Sequence, residues 1–222
     1  MKITAKIAAF LAVGALTVAF TDVLDSTTAI ATAPAGKVAV ATEGATSFAV
    51  NTTKSAVNWE GHKVAYGHTG TISLKDGSLS VQDGNITAGS FTLDMNTITD
   101  ADITEPGKKG YLETHLKSDD FFAVEKFPTA KFDIVCVAPI YGDDKATHQI
   151  IGNLTVRGIT RSITVAAKIS NDGKKLTATT PTFAIDRTVW DVTFSSAAGG
   201  AAADKAIGNN IGVSINLEAD VK

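Results

Sequence analysis

The sequence predicts an all-β fold, an antiparallel β-barrel of about eight strands with a short helical insertion covering one end. Three observations support it: apolar residues recur at every second position, Asp-Gly dipeptides separate the runs, and one long connection can form a helix. A two-residue period is typical of strands with one buried face. No long amphipathic helices alternate with these runs, so the pattern argues against a parallel α/β sheet.

The alternation begins at Ser47 and continues almost to the end of the chain. Its apolar positions are Val57 and Trp59; Ile72 and Leu74; Phe91, Leu93 and Met95; Phe132, Ile134 and Cys136; Leu154 and Val156; Ile163, Val165, Ala167 and Ile169; Phe183 and Ile185; and Ile211, Val213, Ile215 and Leu217. Asp76-Gly77, Asp83-Gly84 and Asp172-Gly173 predict tight hairpin turns. A sandwich also satisfies this alternation, but the number of strands favours a barrel.

The long connection, Thr97 to Thr129, holds the predicted helical insertion. Leu112, His115 and Leu116 fall at i, i+3 and i+4, which places them on one helix face. A connection of this length is usually functional. We expect residues 108–128 to cover one end of the barrel.

The first 31 residues have the order of a secretory signal peptide. Lys2 and Lys6 precede an apolar run, Ile7 to Phe20, and Ala29-Ile-Ala31 offers a small-x-small cleavage site. The run is shorter than the roughly 20 residues that a membrane-spanning helix needs, so a permanent anchor is the weaker alternative. The sequence therefore predicts export, to the periplasm or outside the cell.

Residues 32–46 are predicted to form a flexible linker, because they hold few large apolar side chains. Residues 47–222 have the size of one domain with one core.

The chain has 20 basic and 23 acidic residues, a formal charge of −3, and offers no basic face for a nucleic acid. Cys136 shares the alternation of Phe132 and Ile134, which predicts a small buried side chain, and as the one cysteine it has no internal disulfide partner.

Five segments, in order, resemble the YceI-like family. They are Val57 to Val64 with Gly67-His68-Thr-Gly70, Gly89 to Met95, His115 to Phe132, Gly152 to Thr160, and Phe183 to Trp190. The resemblance implies an exported lipocalin-like barrel that binds polyisoprenoid or related long-chain lipids. Two positions depart from it: Ala123 replaces an aspartate common after Phe-Phe, and Asp191 replaces a glycine common after the tryptophan.

Arg187 shares the parity of Phe183 and Ile185, so its guanidinium is predicted to point to the apolar side and must find acceptors there. One interpretation is that it binds the diphosphate or carboxyl head group of a lipid. The favoured alternative is an ion pair with Asp94, Asp186 or Asp191.

The four histidines, His62, His68, His115 and His148, lack the spacing of a metal site, and the sequence predicts none. His68 stands out because Gly67 and Gly70 permit close approach, although a structural hydrogen bond is the favoured interpretation. The chain has no Gly-x-Ser-x-Gly elbow, His-Glu-x-x-His helix or phosphate-binding glycine loop. We therefore predict no catalytic residue, no cofactor and no enzymatic activity.

The predicted ligand-binding residues are mostly aromatic side chains of the strands and the cover. They are Trp59, His68, Phe91, Phe121, Phe122, Phe132, Phe183, Arg187 and Trp190. Aromatic residues normally fill the core of a small barrel. Alanines at 166, 167, 178 and 184 could leave an apolar void for a lipid chain instead.

The function predicted from these features is an exported protein that sequesters or carries a long-chain apolar lipid, polyisoprenoid or fatty-acid-like, in the barrel. The alternative is an exported stress or redox accessory protein with a filled interior that acts through surface contacts with a membrane partner. A hydrolase would need a serine or metal site assembled from distant strands. Transient membrane contact and a homodimer through the barrel mouth remain open.

Overall fold

The computed structural model describes residues 29–63, 66–196, 200 and 206–222. The strands are β1 Thr32–Ala33, β2 Thr46–Val50, β3 Ala56–Lys63, β4 Gly67–Gln82, β5 Asn85–Asp100, β6 Thr129–Pro139, β7 His148–Val156, β8 Ile159–Asn171, β9 Lys175–Thr179, β10 Phe183–Asp186 and β11 Ile207–Val221. The helix α1 is Pro106–Lys117, and a 3-10 turn covers Arg187–Trp190. Within the described ranges, no helix has the length and apolar character needed to cross a bilayer.

Eight strands pair antiparallel in a closed ring, which confirms the predicted barrel. The order is β3, β4, β5, β6, β7, β8, β9, β11 and back to β3. β2 and β3 occupy the same place in the ring, one after the other, since both pair with β4 and β11. In the same way, β9 and β10 pair one after the other with β11. Closure leaves the ring without an open edge.

Two of the three predicted Asp-Gly turns are confirmed. Asp83 and Gly84 have φ values of 52° and 80° between β4 and β5, and Gly173 has a φ of 85° between β8 and β9. The prediction for Asp76-Gly77 is wrong, because this dipeptide lies inside β4, beside a register shift between Leu74 and Asp76. A Cβ on Gly77 would lie 2.7 Å from Val50 Cγ2, so close packing requires this glycine.

Residues 29–39, which we call the strap, begin as a strand between β8 and β10 and then reach Asn153 of β7 and Ile134 of β6. Thr32 and Ala33 pair with Ile163 and Ser162 of β8. Further on, the backbone N–H and carbonyl of Gly36 bond to the side-chain amide of buried Asn153 at 2.8 and 2.7 Å. The strap thus includes part of the segment predicted to be a flexible linker. Backbone pairing docks it, and Ile30 packs against the buried cluster of Ile163, Val165, Phe183 and Trp190. Residues 1–28 of the predicted signal peptide lie outside the described residues.

Cys136 is exposed, so the predicted buried position is wrong. A β-bulge between Ile134 and Cys136 shifts the alternation of β6 by one residue. The bulge also leaves the carbonyl of Ile134 free to accept a 2.9 Å hydrogen bond from Ala39 of the strap. One local irregularity therefore exposes the thiol and helps to dock the strap.

Apolar side chains fill the two ends of the barrel differently. We call the end where β2 pairs with β4 and β11 the β2 end, and the end against which α1 packs the helix end. The buried cluster of the β2 end is Phe48, Leu79, Val81, Ile134, Leu176, Leu217 and Ala219. That of the helix end is Ile72, Met95, Ile98, Leu116, Phe121, Val124, Ala130 and Val192. The space between these clusters holds the candidate site.

Candidate functional site: an apolar cavity beneath the helix

The helix α1 begins at Pro106, before Leu112, the first residue of its apolar face. The Glu105 carboxylate accepts hydrogen bonds from the N–H groups of Gly107 and Lys108 at 2.8 and 3.0 Å, and Pro106 occupies the first helical position. Leu116 is buried, and Leu112 packs on the same cluster, which confirms the predicted face.

The chain from Ser118 to Phe127 forms successive turns rather than a second helix. Its backbone is fixed by bonds from Ala123 N–H to the Ser118 carbonyl and from Arg157 to the carbonyls of Asp119 and Phe121. Phe121 is buried at this end. The helix and these turns together form the predicted cover.

A cavity of about 790 Å³ lies inside the barrel beneath this cover. Its volume falls within the roughly 300–1,000 Å³ typical of small-molecule sites. All nine predicted ligand-binding residues lie on its wall: Trp59, His68, Phe91, Phe121, Phe122, Phe132, Phe183, Arg187 and Trp190. Their location follows the sequence argument, while binding by each of them stays a prediction.

Sequence reasoning missed most of the aliphatic wall. It includes Leu74, Leu79, Leu93, Ile134, Ile150, Val165, Leu176, Ile211, Val213 and Leu217. The two-residue alternation placed most of these side chains inside, but it does not tell a cavity wall from a solid core. Of the four alanines, Ala167 and Ala178 line the cavity and Ala166 and Ala184 do not. Ala166 lies between Val165 and Ala167 and therefore faces the other side of β8.

Polar groups gather where the cavity meets the helix end. The wall there includes His62, Lys63, Tyr66, Glu105, Lys108 and Tyr111. Tyr66 is 54% exposed and Tyr111 is 73% exposed, so aromatic rings stand in solvent around this rim. Most of these residues lie at strand ends or on α1, which is why the strand pattern gave no signal for them.

Arg187 is buried, and backbone carbonyls satisfy its guanidinium. It donates to Gly208, Val192 and Ile207 at 3.0, 2.6 and 3.1 Å. None of the ion pairs in the described part of the chain joins Arg187 to a carboxylate of Asp94, Asp186 or Asp191. Asp191 lies 3.6 Å from Arg157 instead.

This environment also perturbs the charge of Arg187. Desolvation lowers the pKa of the guanidinium, and the nearby charge of Asp186 partly opposes this effect. Backbone carbonyls of nearby residues therefore accept the hydrogen bonds that Arg187 was expected to donate to a lipid head group or to a carboxylate. Arg187 joins the 3-10 turn to the start of β11.

His68 forms a hydrogen bond across the β4–β5 ladder, as the structural interpretation expects. Its Nδ1 lies 3.0 Å from Asp102 Oδ2. Hydrogen bonds from the Thr69 N–H and from His68 lower the pKa of the Asp102 carboxyl, while partial burial opposes them. A Cβ on Gly70 would overlap the Trp59 ring and the Thr99 carbonyl, so this glycine permits close approach of Trp59 and β5 rather than of His68.

The chain belongs to the family whose model is described as the YceI-like domain, which matches residues 48–219. Relatives called UPF0312 proteins include one from Ectopseudomonas mendocina, 32% identical over 47% of this chain and 51% of its own length. Another, from Pseudomonas aeruginosa, is 35% identical over 44% of this chain and 47% of its own length. The matched region thus spans about half the length of these relatives.

Two solved structures share the fold at low sequence identity. BcnA of Burkholderia cenocepacia has a TM-score of 0.59 and 17% identity, covering 76% of this chain and 98% of BcnA. A polyisoprenoid-binding domain from Saccharophagus degradans has a TM-score of 0.55 and 11% identity, covering 84% of this chain and all of that domain. These likenesses agree with the lipocalin-like barrel that the sequence predicted.

Proposed function

We propose that this protein binds a long-chain apolar lipid, polyisoprenoid or fatty-acid-like, inside the barrel and sequesters or carries it. The observation that carries this proposal is the 790 Å³ cavity, enclosed by apolar side chains of the ring and of the cover. The alternative of an accessory protein acting through its surface expects a filled interior, which is contrary to this cavity. The structural likeness to a polyisoprenoid-binding domain supports a lipid of the same class.

Burial of the chain supplies the affinity in this proposal. Each buried methylene contributes roughly 0.8 kcal/mol, so about ten of them contribute about 8 kcal/mol, the free energy of micromolar binding before ordering costs. The wall carries few polar atoms with which to recognise the chain. Selectivity therefore comes from cavity length and from groups near the head.

The lipid head lies at the helix end in this proposal, because the polar rim is there. Lys63 and Lys108 can each donate to an oxygen of a phosphate, carboxyl or hydroxyl group. The tail then runs towards the β2 end, past Ala167 and Ala178. Arg187, whose donors already bond carbonyls, contacts the lipid as wall rather than as an anion receptor.

A cavity-blocking variant tests the proposal. The protein is purified from its native host, and native mass spectrometry with lipid extraction identifies what it retains. Ala178→Phe places a ring in the lumen and is expected to abolish lipid retention. Ala166→Phe adds the same ring to the face of the adjacent strand β8 that points away from the cavity, and is expected to retain the lipid.

Equal retention by the two variants, or a wild-type protein that carries no lipid from its host and takes up none from a supplied long-chain isoprenoid, would contradict the proposal. Thermal unfolding of both variants verifies that each is folded before retention is compared.

The exposed aromatic rings of the rim support a second part of the proposal, that the mouth contacts a membrane surface while lipid enters or leaves. Tyr66, Tyr111 and Phe194 all line the cavity and are exposed. Tyrosine favours membrane interfaces because its ring is apolar and its hydroxyl is polar. Replacing Tyr66 and Tyr111 by Ser is expected to weaken cosedimentation with lipid vesicles.

Tyr141→Ser is the matched control, because Tyr141 is 87% exposed and lies between β6 and β7 at the β2 end. Equal loss of vesicle binding in both variants would mean that exposed tyrosines bind membranes wherever they lie, and would contradict a specific role of the mouth. A homodimer through the mouth would use the same rings, and sedimentation velocity with and without vesicles separates self-association from membrane binding.

The last part of the proposal is that the protein is exported from the cytoplasm. The charged and apolar order of residues 1–31 supports an N-terminal signal and a periplasmic or secreted location. Cell fractionation with N-terminal sequencing of the isolated protein tests it. An uncleaved protein in the cytoplasmic fraction would contradict it.

A further inference from the structure

Two carboxylates and one imidazole converge beside the cavity rim. His68 Nδ1, Asp100 Oδ2 and Asp102 Oδ2 each lie within 4.8 Å of the other two. The β4–β5 ladder brings them together: Gly70 pairs with Asp100, and the Ala101 N–H bonds to the Thr69 carbonyl, which sets Asp102 beside His68.

The second oxygen of each carboxylate is anchored to the backbone. Asp100 Oδ1 accepts from the N–H groups of Asp102 and Ile103 at 3.2 and 2.7 Å. Asp102 Oδ1 accepts from the Thr69 N–H at 2.6 Å. These bonds fix both side chains and leave the two Oδ2 atoms to face His68. Outer contacts of this kind orient the ligands of metal sites.

The hydrogen bonds of the cluster are incomplete. His68 Nδ1 can donate one proton, and Asp102 Oδ2 at 3.0 Å is placed to accept it. Asp100 Oδ2 lies 3.7 Å from the same nitrogen, its side chain is fully buried, and it has no hydrogen-bond partner. A buried carboxylate oxygen without a donor or cation is costly. No lysine or arginine among the described residues forms an ion pair with Asp100 or Asp102.

We propose that His68, Asp100 and Asp102 bind a divalent transition-metal ion, Zn²⁺ in the first instance. Zinc accepts imidazole nitrogen and carboxylate oxygen at about 2.0–2.2 Å, and tetrahedral geometry then separates ligand atoms by roughly 3.3–3.6 Å. The distances of 3.0 and 3.7 Å from His68 Nδ1 bracket this value. Three protein ligands leave a fourth coordination position open. Calcium and magnesium suit the site less well, since they prefer sets of oxygen ligands.

The ion can reach the site from solvent. The side chains of His68 and Asp102 are 29% and 40% exposed, although that of Asp100 is buried. The His115–Asp120 pair provides an internal contrast. Its Nε2–Oδ2 distance is 2.9 Å, but it offers one carboxylate, and that side chain is more than half exposed. We expect no comparable binding there.

Zinc titration of the tag-free protein against a chromogenic chelator tests the proposal. The Cys136→Ser background removes the exposed thiol as a competing ligand. One ion is expected per chain, with affinity reduced at least about 100-fold by His68→Gln and by Asp102→Asn. His148→Gln and Asp119→Asn alter the same residue types elsewhere and are expected to bind as the background does.

A spectroscopic and a stability readout separate ligation from folding effects. X-ray absorption at the zinc edge is expected to show a first shell of light ligand atoms together with outer-shell scattering from an imidazole ring, and the imidazole signal is lost in His68→Gln. Saturating zinc is expected to raise the unfolding midpoint of the background but not of Asp102→Asn. Binding of equal strength in His68→Gln, or no saturable binding by the folded background protein, overturns the proposal. Asp100→Asn, which keeps an Oδ1 acceptor, is expected to weaken binding as well.

Discussion

The two ends of the barrel differ in how they treat apolar and polar groups. At the β2 end, Phe48 and Ala219 are 1% exposed or less and do not line the cavity, and β2 pairs with strands on both sides. At the helix end, Leu112 and Phe122 are partly exposed where they line the cavity. Two buried polar atoms there, Trp59 Nε1 and Asp100 Oδ2, have no hydrogen-bond partner.

Residues that lie off the cavity and residues that line it are expected to contribute differently to the stability of the fold and to ligand binding. A side chain that is packed on all sides and does not line the cavity, such as Phe48, leaves a void when it is shortened, and this lowers the free energy of unfolding. A side chain that lines the cavity already lacks contacts on one side, and it can contact a ligand instead. Substitutions of the same residue type at the two ends are therefore expected to differ in their effects on stability and on binding.

The largest effect is expected for Phe48→Ala at the β2 end. Loss of a buried phenyl ring typically costs about 3–5 kcal/mol of the free energy of unfolding. Urea or guanidinium denaturation measures this loss. A cost below about 1 kcal/mol would show that this end is not the tightly packed one.

Phe122→Ala at the helix end is expected to behave in the opposite way. Since the ring borders the cavity, its removal should cost about 1 kcal/mol or less of unfolding free energy. It should reduce the affinity for a fluorescent long-chain lipid analogue about tenfold, through lost contacts with the tail. Displacement titration measures the affinity, with Phe48→Ala as the reference for stability. A larger stability loss here than at Phe48 would reverse the comparison.

A smaller, pH-dependent effect is expected from His148 at the β2 end. Burial lowers the pKa of its imidazole from 6.5, so the unfolded chain binds a proton more readily than the folded one. This contribution to stability is fully present above pH 6.5 and is lost as the pH falls through 6.5 towards the lower pKa of the folded state. His148→Gln is expected to flatten the dependence of the unfolding midpoint between about pH 7 and pH 5. Identical slopes for both proteins would exclude this origin.

The smallest effect is expected for Asp191→Gly at the helix end. Its φ of 60° lies in the left-handed region, where glycine has no steric cost. Asp191→Gly relieves this cost but loses a weak contact with Arg157, so the change should stay within about 0.5 kcal/mol. Asp191→Val, the contrasting variant, is expected to lose about 1–2 kcal/mol by thermal denaturation. Equal stability of the two variants would show that the turn does not hold this backbone conformation.

The two residues that depart from the family pattern share a backbone conformation. Both Ala123 and Asp191 have positive φ values, 46° and 60°. Ala123 lies in the turns that follow α1, and Asp191 directly follows the 3-10 turn. Glycine, which the family resemblance implies at position 191, adopts such a φ without strain.

Much of the site could be predicted because it follows the strand pattern. The aromatic residues Trp59, Phe91 and Phe132 share the parity of the buried positions, and the cover was marked by its apolar helix face. The rim residues Lys63, Tyr66 and Lys108 could not be predicted, since turns and helix starts place them. Cys136 was misplaced because a single bulge reverses the parity of every later residue on β6.

The sequence by itself determined the strands, two of the hairpin turns, the helical cover and the apolar character of the interior. Each of these depends on neighbours within a few residues. Only the tertiary structure decided that the interior is hollow, that the strap docks on Asn153, and that His68 meets Asp100 and Asp102. These outcomes depend on strand register and on ring closure, which join residues far apart in the chain.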